Sequence, residues 1–525
     1  MLRFAWIAAA FALLAHADDK WVRIRTGPFE IVTAAGEGPA RERGMEAEQL
    51  RQAFATLTGV QDPISVWPIR VIVSKGGTET RPELSRDSYI SRAGSTPLTR
   101  EWMAGCVRVL IDSNLNRLAP GVENGLVSLL STLQIKGTYL TLGAPPPPAE
   151  RTADWARVHM LATDPELAGR FRVFLNNLMQ GASLETAYRN AFEKTVAEMD
   201  KKAQEYLAAG KFGTAPLSGR ALSPRDFTVR EVPPEEGRAF MADLAGTEAA
   251  YNAIASPFKE EGLCWLTKSK QWCEDAVKTG SKNARAWAGV GSVEALTKAT
   301  ELNPLWPEPW FRLGELSQYP ERRVAAFRKA ATLARRDAGL WTKLAIELQN
   351  ANQYPEAAKA WTNAQLAAVS DADRERLAQE RRDVEGRRAD FEAAERKRIA
   401  DERERELQRL KDAAMTEIRT AEAKANAEMQ KGGAKPTKVE EWWEDGSGPK
   451  EKADGSLTRV DCVKSGARWI IRTDAGKSLV LKVPDPTKIV VVGSSHKDVG
   501  CGPQRPAAHV SVEYAAGELK VVRFQ

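Results

Sequence analysis

Hydrophobic and polar positions alternate with a period of two at the start of the chain and with helical spacing through its middle. Trp21-Val-Arg-Ile-Arg25 and Phe29-Glu-Ile-Val-Thr33 alternate as strands do, with a turn signal at Gly27-Pro28. Met45, Leu50, Phe54 and Leu57 then follow helical spacing over 37–57. Val66 to Ser74 predicts a strand, and the short β-branched run Cys106 to Ile111 predicts another. Residues 18–220 are therefore expected as a mixed α/β domain. Gly213, Pro216, Gly219, Pro224 and Pro233-Pro234 break any long element and predict a connector, with 221–245 as the linker proper.

From 246 to 370 the pattern is helical and repeats itself. Trp310-Phe-Arg-Leu313-Gly314 and Trp341-Thr-Lys-Leu344-Ala345 are two copies of one phrase, 31 residues apart. The second copy continues with Ala357, Trp361 and Ala364, and Trp287-Ala-Gly-Val290-Gly291 opens another. These residues resemble the tetratricopeptide repeat, a helix–turn–helix unit. The resemblance implies a stack of helical pairs with Trp287, Trp310, Leu313, Gly314, Trp341, Leu344, Ala357, Trp361 and Ala364 as repeat core, and a groove that receives partner proteins. Residues 371–431 are dominated by Arg, Lys, Glu, Asp and Ala, without proline. Leu377, Val384 and Phe391 stand seven apart, which predicts a long charged helix with a thin seam for self-association as a coiled coil. Six short alternating runs over 436–525, with turns at Asp474-Ala-Gly476 and Ala516-Gly517, predict a small β-barrel or sandwich. The expected fold class is multidomain α+β.

Composition changes this picture little. Against 76 Lys and Arg stand 70 Asp and Glu, a net charge of +6 spread along the chain, so a mixed solvated surface is expected and no nucleic-acid partner. The first residues matter more. Arg3, the apolar run Phe4 to Leu14 and Ala15-His16-Ala17 match a secretory signal over 1–17, and no stretch is long enough for a transmembrane segment. An exported protein, periplasmic or secreted, is expected. Its cysteines fit that compartment: Cys462 with Cys501 is the expected disulfide, Cys264 with Cys273 a second candidate, and Cys106 is left free. On one unbroken helix Cys264 and Cys273 would stand about 13.5 Å apart, so their pairing needs a turn between them.

The segment Leu118-Ala-Pro-Gly-Val-Glu123-Asn124-Gly125-Leu-Val resembles the gluzincin metallopeptidase phrase Leu-Pro-x-Trp-x-Asn-Glu-Gly-Leu-Ala, which supplies the last zinc ligand. Trp155-Ala-Arg-Val-His159-Met-Leu161 resembles the helix that follows it in that family, and the likeness continues to Glu205-Tyr206-Leu207. The departures decide the chemistry. Residues 18–125 contain no histidine, so the paired histidines of the zinc motif are missing. Asn124 stands where the resemblance puts the ligand glutamate, and Glu123, one place away, points about 100° off on a helix. His159, His496 and His509 cannot rebuild the site. The expectation is a degenerate, non-catalytic domain without metal or cofactor. Two alternatives stay open: a hydrolase of another mechanism, for which no G-x-S-x-G phrase is present, and an envelope-glycan binder using Trp442-Trp443 and the β module.

Overall fold

The computed structural model describes residues 20–431 and 451–524, apart from 77, 95–96, 464–465, 486–487 and 493–498. The expected signal segment, Trp442-Trp443 and His496 lie outside the described residues. The chain divides into two compact units between Arg403 and Glu404.

The first unit opens on a sheet. Strands β1 (Trp21–Thr26) and β2 (Phe29–Thr33) form a hairpin about Gly27, whose φ of 51° places it in the left-handed region. Helix α1 (Glu37–Thr58) leads to β3 (Ile69–Val73), which lies parallel to β2. After β4 (Glu83–Leu84), strand β5 (Tyr89–Ala93) adds in parallel on the far side of β3. Every residue of β2 and β3 is buried, because both faces of the sheet are covered. Phe29, Ile31 and Val71 join the main core with Leu50 and Phe54 of α1. Val32 and Ile72 point the other way, into a smaller core with Trp21 and Phe240.

Helices α2 (Arg100–Asn114) and α3 (Pro120–Ser131) follow. The strand expected at Cys106 to Ile111 is thus part of a helix. A short apolar run fits a buried helix as well as a strand. Here the Thr99 hydroxyl accepts from the Trp102 amide as N-cap, and Trp102, Met103, Cys106, Val107 and Leu110 share one buried face. Strands β6 (Gln134–Lys136), β7 (Tyr139–Leu142) and β8 (Ala215–Ser218) form a small sheet, and between β7 and β8 the chain runs through α4 (Ala153–Thr163), α5 (Ala168–Met179), α6 (Leu184–Phe192) and α7 (Val196–Ala209).

The expected linker over 221–245 is also corrected. Strand β9 (Arg230–Val232) pairs antiparallel with β1 and completes the large sheet in the order β4-β5-β3-β2-β1-β9. Helix α8 (Pro234–Ala245) then covers that sheet with Phe240. The prolines that suggested a connector fit these elements: Pro233 is the N-cap of α8 and Pro234 its first residue.

Short α9 (Glu248–Asn252) leads into helical pairs: α10 (Phe258–Thr267) with α11 (Lys270–Lys278), α12 (Ala284–Val290) with α13 (Val293–Leu302), α14 (Pro307–Leu316) with α15 (Pro320–Leu333), and α16 (Ala338–Asn350) with α17 (Tyr354–Ala367). Their core holds Phe327, Trp341, Leu344, Ala357, Trp361 and Ala364 in one cluster. A Cβ on Gly314 would stand 2.6 Å from the Phe327 ring, so α14 and α15 approach at a contact only glycine permits. Helix α18 (Asp371–Lys431) begins by closing this stack: Leu377 and Val384 are buried in the same cluster, and the Phe391 ring lies 5.3 Å from that of Tyr354. The first part of the expected coiled-coil seam is therefore used within the chain. The stack's last helical pair leaves apolar surface that needs a cover.

In the second unit, β10 (Glu451–Val463), β11 (Gly466–Thr473), β12 (Ser478–Val483), β13 (Val490–Val492), β14 (Gly502–Ala515) and β15 (Glu518–Phe524) form one sheet in the order β12-β11-β10-β14-β15-β13. β12 also pairs with β15 at Lys482 and Glu518. Ala516 and Gly517, both at positive φ, make the β14–β15 turn. Leu457, Trp469, Ile471, Val510 and Val522 form the core. The whole is of mixed α+β class.

Candidate functional site

Glu123, Asn124 and Gly125 lie near the start of α3. The Glu123 carboxylate accepts from the Leu118 amide at 2.8 Å and from Arg336 Nη2 at 2.8 Å. Arg336 comes from the turn between α15 and α16, and its Nε also faces Asp112 of α2 at 3.4 Å. Burial raises the Asp112 carboxyl, and Arg336 works against that rise. Asn124 is exposed. A Cβ on Gly125 would stand 2.3 Å from Val158 Cγ2 and 2.6 Å from the Asp154 carbonyl, so its role is close packing of α3 on α4. Arg117 donates to the Ala367 carbonyl at 3.0 Å and to that of Arg336 at 3.3 Å. The helical pairs are thus seated on residues 117–123.

His159 is fully buried. Its Nε2 lies 2.8 Å from the Gly143 carbonyl, which fixes that nitrogen as the donor, and Nδ1 lies 2.9 Å from the Tyr206 hydroxyl. Burial lowers its pKa below the ordinary 6.5. Cys106 is a buried free thiol whose pKa burial pushes up, an inert setting. Among the described residues, no three of His, Cys, Asp and Glu are grouped to hold a metal ion.

A second contact between sheet and helical pairs is ionic and buried. Arg70 of β3 donates to Glu30 of β2 at 2.6 Å and to Asp87 at 2.6 Å. Arg86 grips Asp243 of α8 with two bonds of 3.0 Å and also pairs with Glu261 of α10. Tyr251 donates to Asp243 at 3.0 Å, and Ser281 to Glu261 at 2.6 Å. Burial pulls the Arg86 guanidinium down, but the fields of Asp243, Asp87 and Glu261 outweigh it and hold the group well above its ordinary pKa. Burial lifts the Asp243 carboxyl against the pull of Arg86. This network brings together residues from three regions of the sequence.

Beside it stands an aromatic cage. The Arg285 guanidinium of α12 lies 4.1 Å from the Trp67 ring centroid, 4.2 Å from that of Trp265 and 5.4 Å from that of Trp306. Trp67 and Trp306 meet edge-on at 5.2 Å. Lys268 Nζ sits 3.3 Å from the centroid of Trp265, which is half-buried. A pocket of about 320 Å³ opens here, lined by Trp265, Lys268, Arg285, Trp306, Glu308 and Arg312, with the Cys264–Cys273 disulfide along its wall. That disulfide joins α10 to α11 across the turn at Lys268 and lies against Gly289, where a Cβ would be 2.2 Å from Cys273 Sγ. None of these cage residues stands out in the sequence. Trp67 lies some two hundred residues from its partners, and no periodicity links them.

The repeat residues occupy equivalent places. Trp287 Nε1 donates to the Ser281 carbonyl at 2.9 Å, and Trp341 Nε1 to the Arg335 carbonyl at 3.1 Å, six positions back in each case. Trp310 is half-buried and its Nε1 has no partner among the described residues. Leu313 and Trp287 pack on Ala288, Leu296 and Ala299. In the β module Cys462 and Cys501 form a disulfide with Cα atoms 5.6 Å apart.

No helix among the described residues is long and apolar enough to cross a membrane. No protein-family model matches the chain, and no curated protein matches its sequence. Among solved structures it is similar to one described as the crystal structure of MamA protein, at 16% identity and a TM-score of 0.15, over 30% of this chain and 91% of that one.

Proposed function

We propose that this chain is an exported, non-catalytic interaction scaffold whose helical pairs, akin to tetratricopeptide repeats, bind partner proteins. The carrying observation is the engagement of Glu123 by Arg336. A carboxylate paired with an arginine of the repeats is not free to ligate a metal or act as a base, so the gluzincin-like domain serves as a support on which the repeats are mounted. Two disulfides suit an oxidising compartment. The inner helices leave Lys343 half-buried and Ile346 exposed on α16, beside core positions Trp341, Leu344 and Ala345. The apolar residues Leu407, Leu410 and Ile418 of α18 are exposed and are the part of its seam left for self-association.

The test is partner capture by cross-linking, repeated with Lys343→Glu and Ile346→Asp. Weaker capture at an unchanged melting temperature supports the reading. If neither substitution alters any captured partner, the repeats act only as a brace for the sheet domain. Stoichiometric zinc in the purified protein would overturn the non-catalytic part.

A further inference from the structure

We infer that the pocket bounded by Trp265, Lys268, Arg285, Trp306 and Arg312 is a recognition subsite for a carboxylate carried on a peptide. The inference rests on the partner-binding reading and names a chemical feature of the partner. Three cations line this pocket against a single carboxylate, Glu308. Arg312 is anchored by a 2.7 Å bond from Nη1 to the Ala288 carbonyl. Arg285 is the unusual member. Its Nε and Nη2 are shielded from solvent and donate to nothing among the described residues. With that edge closed to solvent, a ligand in the pocket meets the guanidinium through its remaining nitrogen, Nη1, by a single charge-assisted bond. A guanidinium largely withdrawn from water with no carboxylate in ion-pair distance among the described residues is costly, and the fields of Asp87 and Glu308 offset that cost only in part.

The contrast with Arg86 is direct. Both arginines lie at the junction of sheet and repeats, Arg86 buried and Arg285 half-buried; Arg86 faces three carboxylates, Asp243, Glu261 and Asp87, whereas Arg285 forms no ion pair among the described residues. Burial accordingly holds the Arg285 pKa down to about 10, and burial followed by the field of Arg285 lowers that of Lys268. Tryptophan faces keep the guanidinium plane fixed without neutralising it. The volume, about 320 Å³, is at the small end of ligand pockets, which run from about 300 to 1,000 Å³. It suits one residue of a peptide: an Asp or Glu side chain, or a C-terminal residue. Indole walls suit the apolar atoms beside such a carboxylate. Glu308 repels any anion here, but a phosphate dianion about twice as strongly as a singly charged carboxylate at the same distance.

Calorimetric titration of the full, disulfide-intact protein tests this with four probes: an acetylated alanine pentapeptide with a free C-terminus, its C-terminal amide, that amide carrying one internal glutamate, and inorganic phosphate. Binding of either carboxylate-bearing peptide, with none by the plain amide, is expected. Which of the two binds identifies a chain end or a side chain as the source. Arg285→Met should weaken binding by about tenfold or more while the melting temperature stays level or rises, since an unpaired charge is removed. Lys268→Gln, at an exposed site, should weaken it by a smaller factor and leave the fold unchanged. Phosphate binding alone, or peptide affinity unaltered in both variants, would overturn the inference. So would a lower melting temperature in Arg285→Met with no carboxylate binding to the wild type. If the pocket variants bind no carboxylate peptide yet capture the same cross-linked partners, the subsite is refuted as part of the partner interface and the scaffold reading stands.

Discussion

His159 shows how a single residue couples this fold to pH. Its Nε2–H is committed to Gly143, and the Thr163 hydroxyl donates to the His159 carbonyl at 2.8 Å, which leaves Nδ1 to accept from Tyr206. A proton on Nδ1 would break that last bond in a buried site. Because the folded pKa is depressed below the ordinary 6.5, the unfolded chain takes up its proton first as pH falls. The contribution of His159 is therefore complete above about pH 6.5 and lost progressively below it, with a slope of up to about 1.4 kcal/mol per pH unit until the folded histidine also titrates. Urea melts between pH 5 and 7 check this: His159→Gln should flatten the wild-type slope, and equal slopes would assign the titration elsewhere. The apolar spacing around His159 already marks it as a core residue. Its partners were not legible, since Gly143 and Tyr206 reach it through the tertiary fold. Arg285 was less legible still. One arginine among 76 Lys and Arg carries no sequence mark of being caged by tryptophans.

At the scale of elements, legibility followed local periodicity. The repeats and the β strands were readable because each carries its own pattern and turn residues. The helix at Arg100–Asn114 was misread because its apolar run is too short to have a period, and β9 with α8 because prolines at an element's start resemble those that prevent one. Likewise the seven-residue spacing of Leu377, Val384 and Phe391 identifies an apolar stripe but not what covers it, here the end of the repeat stack. The repeat core makes a direct prediction. Trp341 shares one cluster with Ala357, Trp361 and the α18 residues Leu377 and Val384. Trp341→Ala should cost about 3–5 kcal/mol by the cavity it leaves. The loss should extend to its neighbours, because stacked pairs are stabilised by their interfaces. Hydrogen exchange reads this out: amides of α15 and of residues 371–384 should exchange faster in the variant. A neutral substitution would mean that the repeat phrase has been placed in the wrong register.

At the scale of the molecule, the sequence suggested a string of separate domains, whereas sheet, helical pairs and the start of α18 form one unit. Composition shifts reveal where patterns change and not whether the parts pack together; the contacts that join them, among them Arg86 with Glu261, Arg336 with Glu123 and Trp67 with Trp306, are long-range. Two compact units with separate cores should give two calorimetric transitions, the larger enthalpy belonging to the larger unit. Arg86→Met leaves Glu261 buried without its cation and Asp243 with Arg70 alone, at 3.7 Å. It should destabilise the large transition by about 3–5 kcal/mol, the range for breaking a buried ion pair by removing one partner. The small transition should not move. The reverse experiment uses the Cys462→Ser, Cys501→Ser double variant, since a reductant would also open Cys264–Cys273. Losing a bridge between cysteines 39 residues apart in a small module should cost about 2–5 kcal/mol and shift the small transition alone. A single transition moved by both variants would show that the two units unfold together.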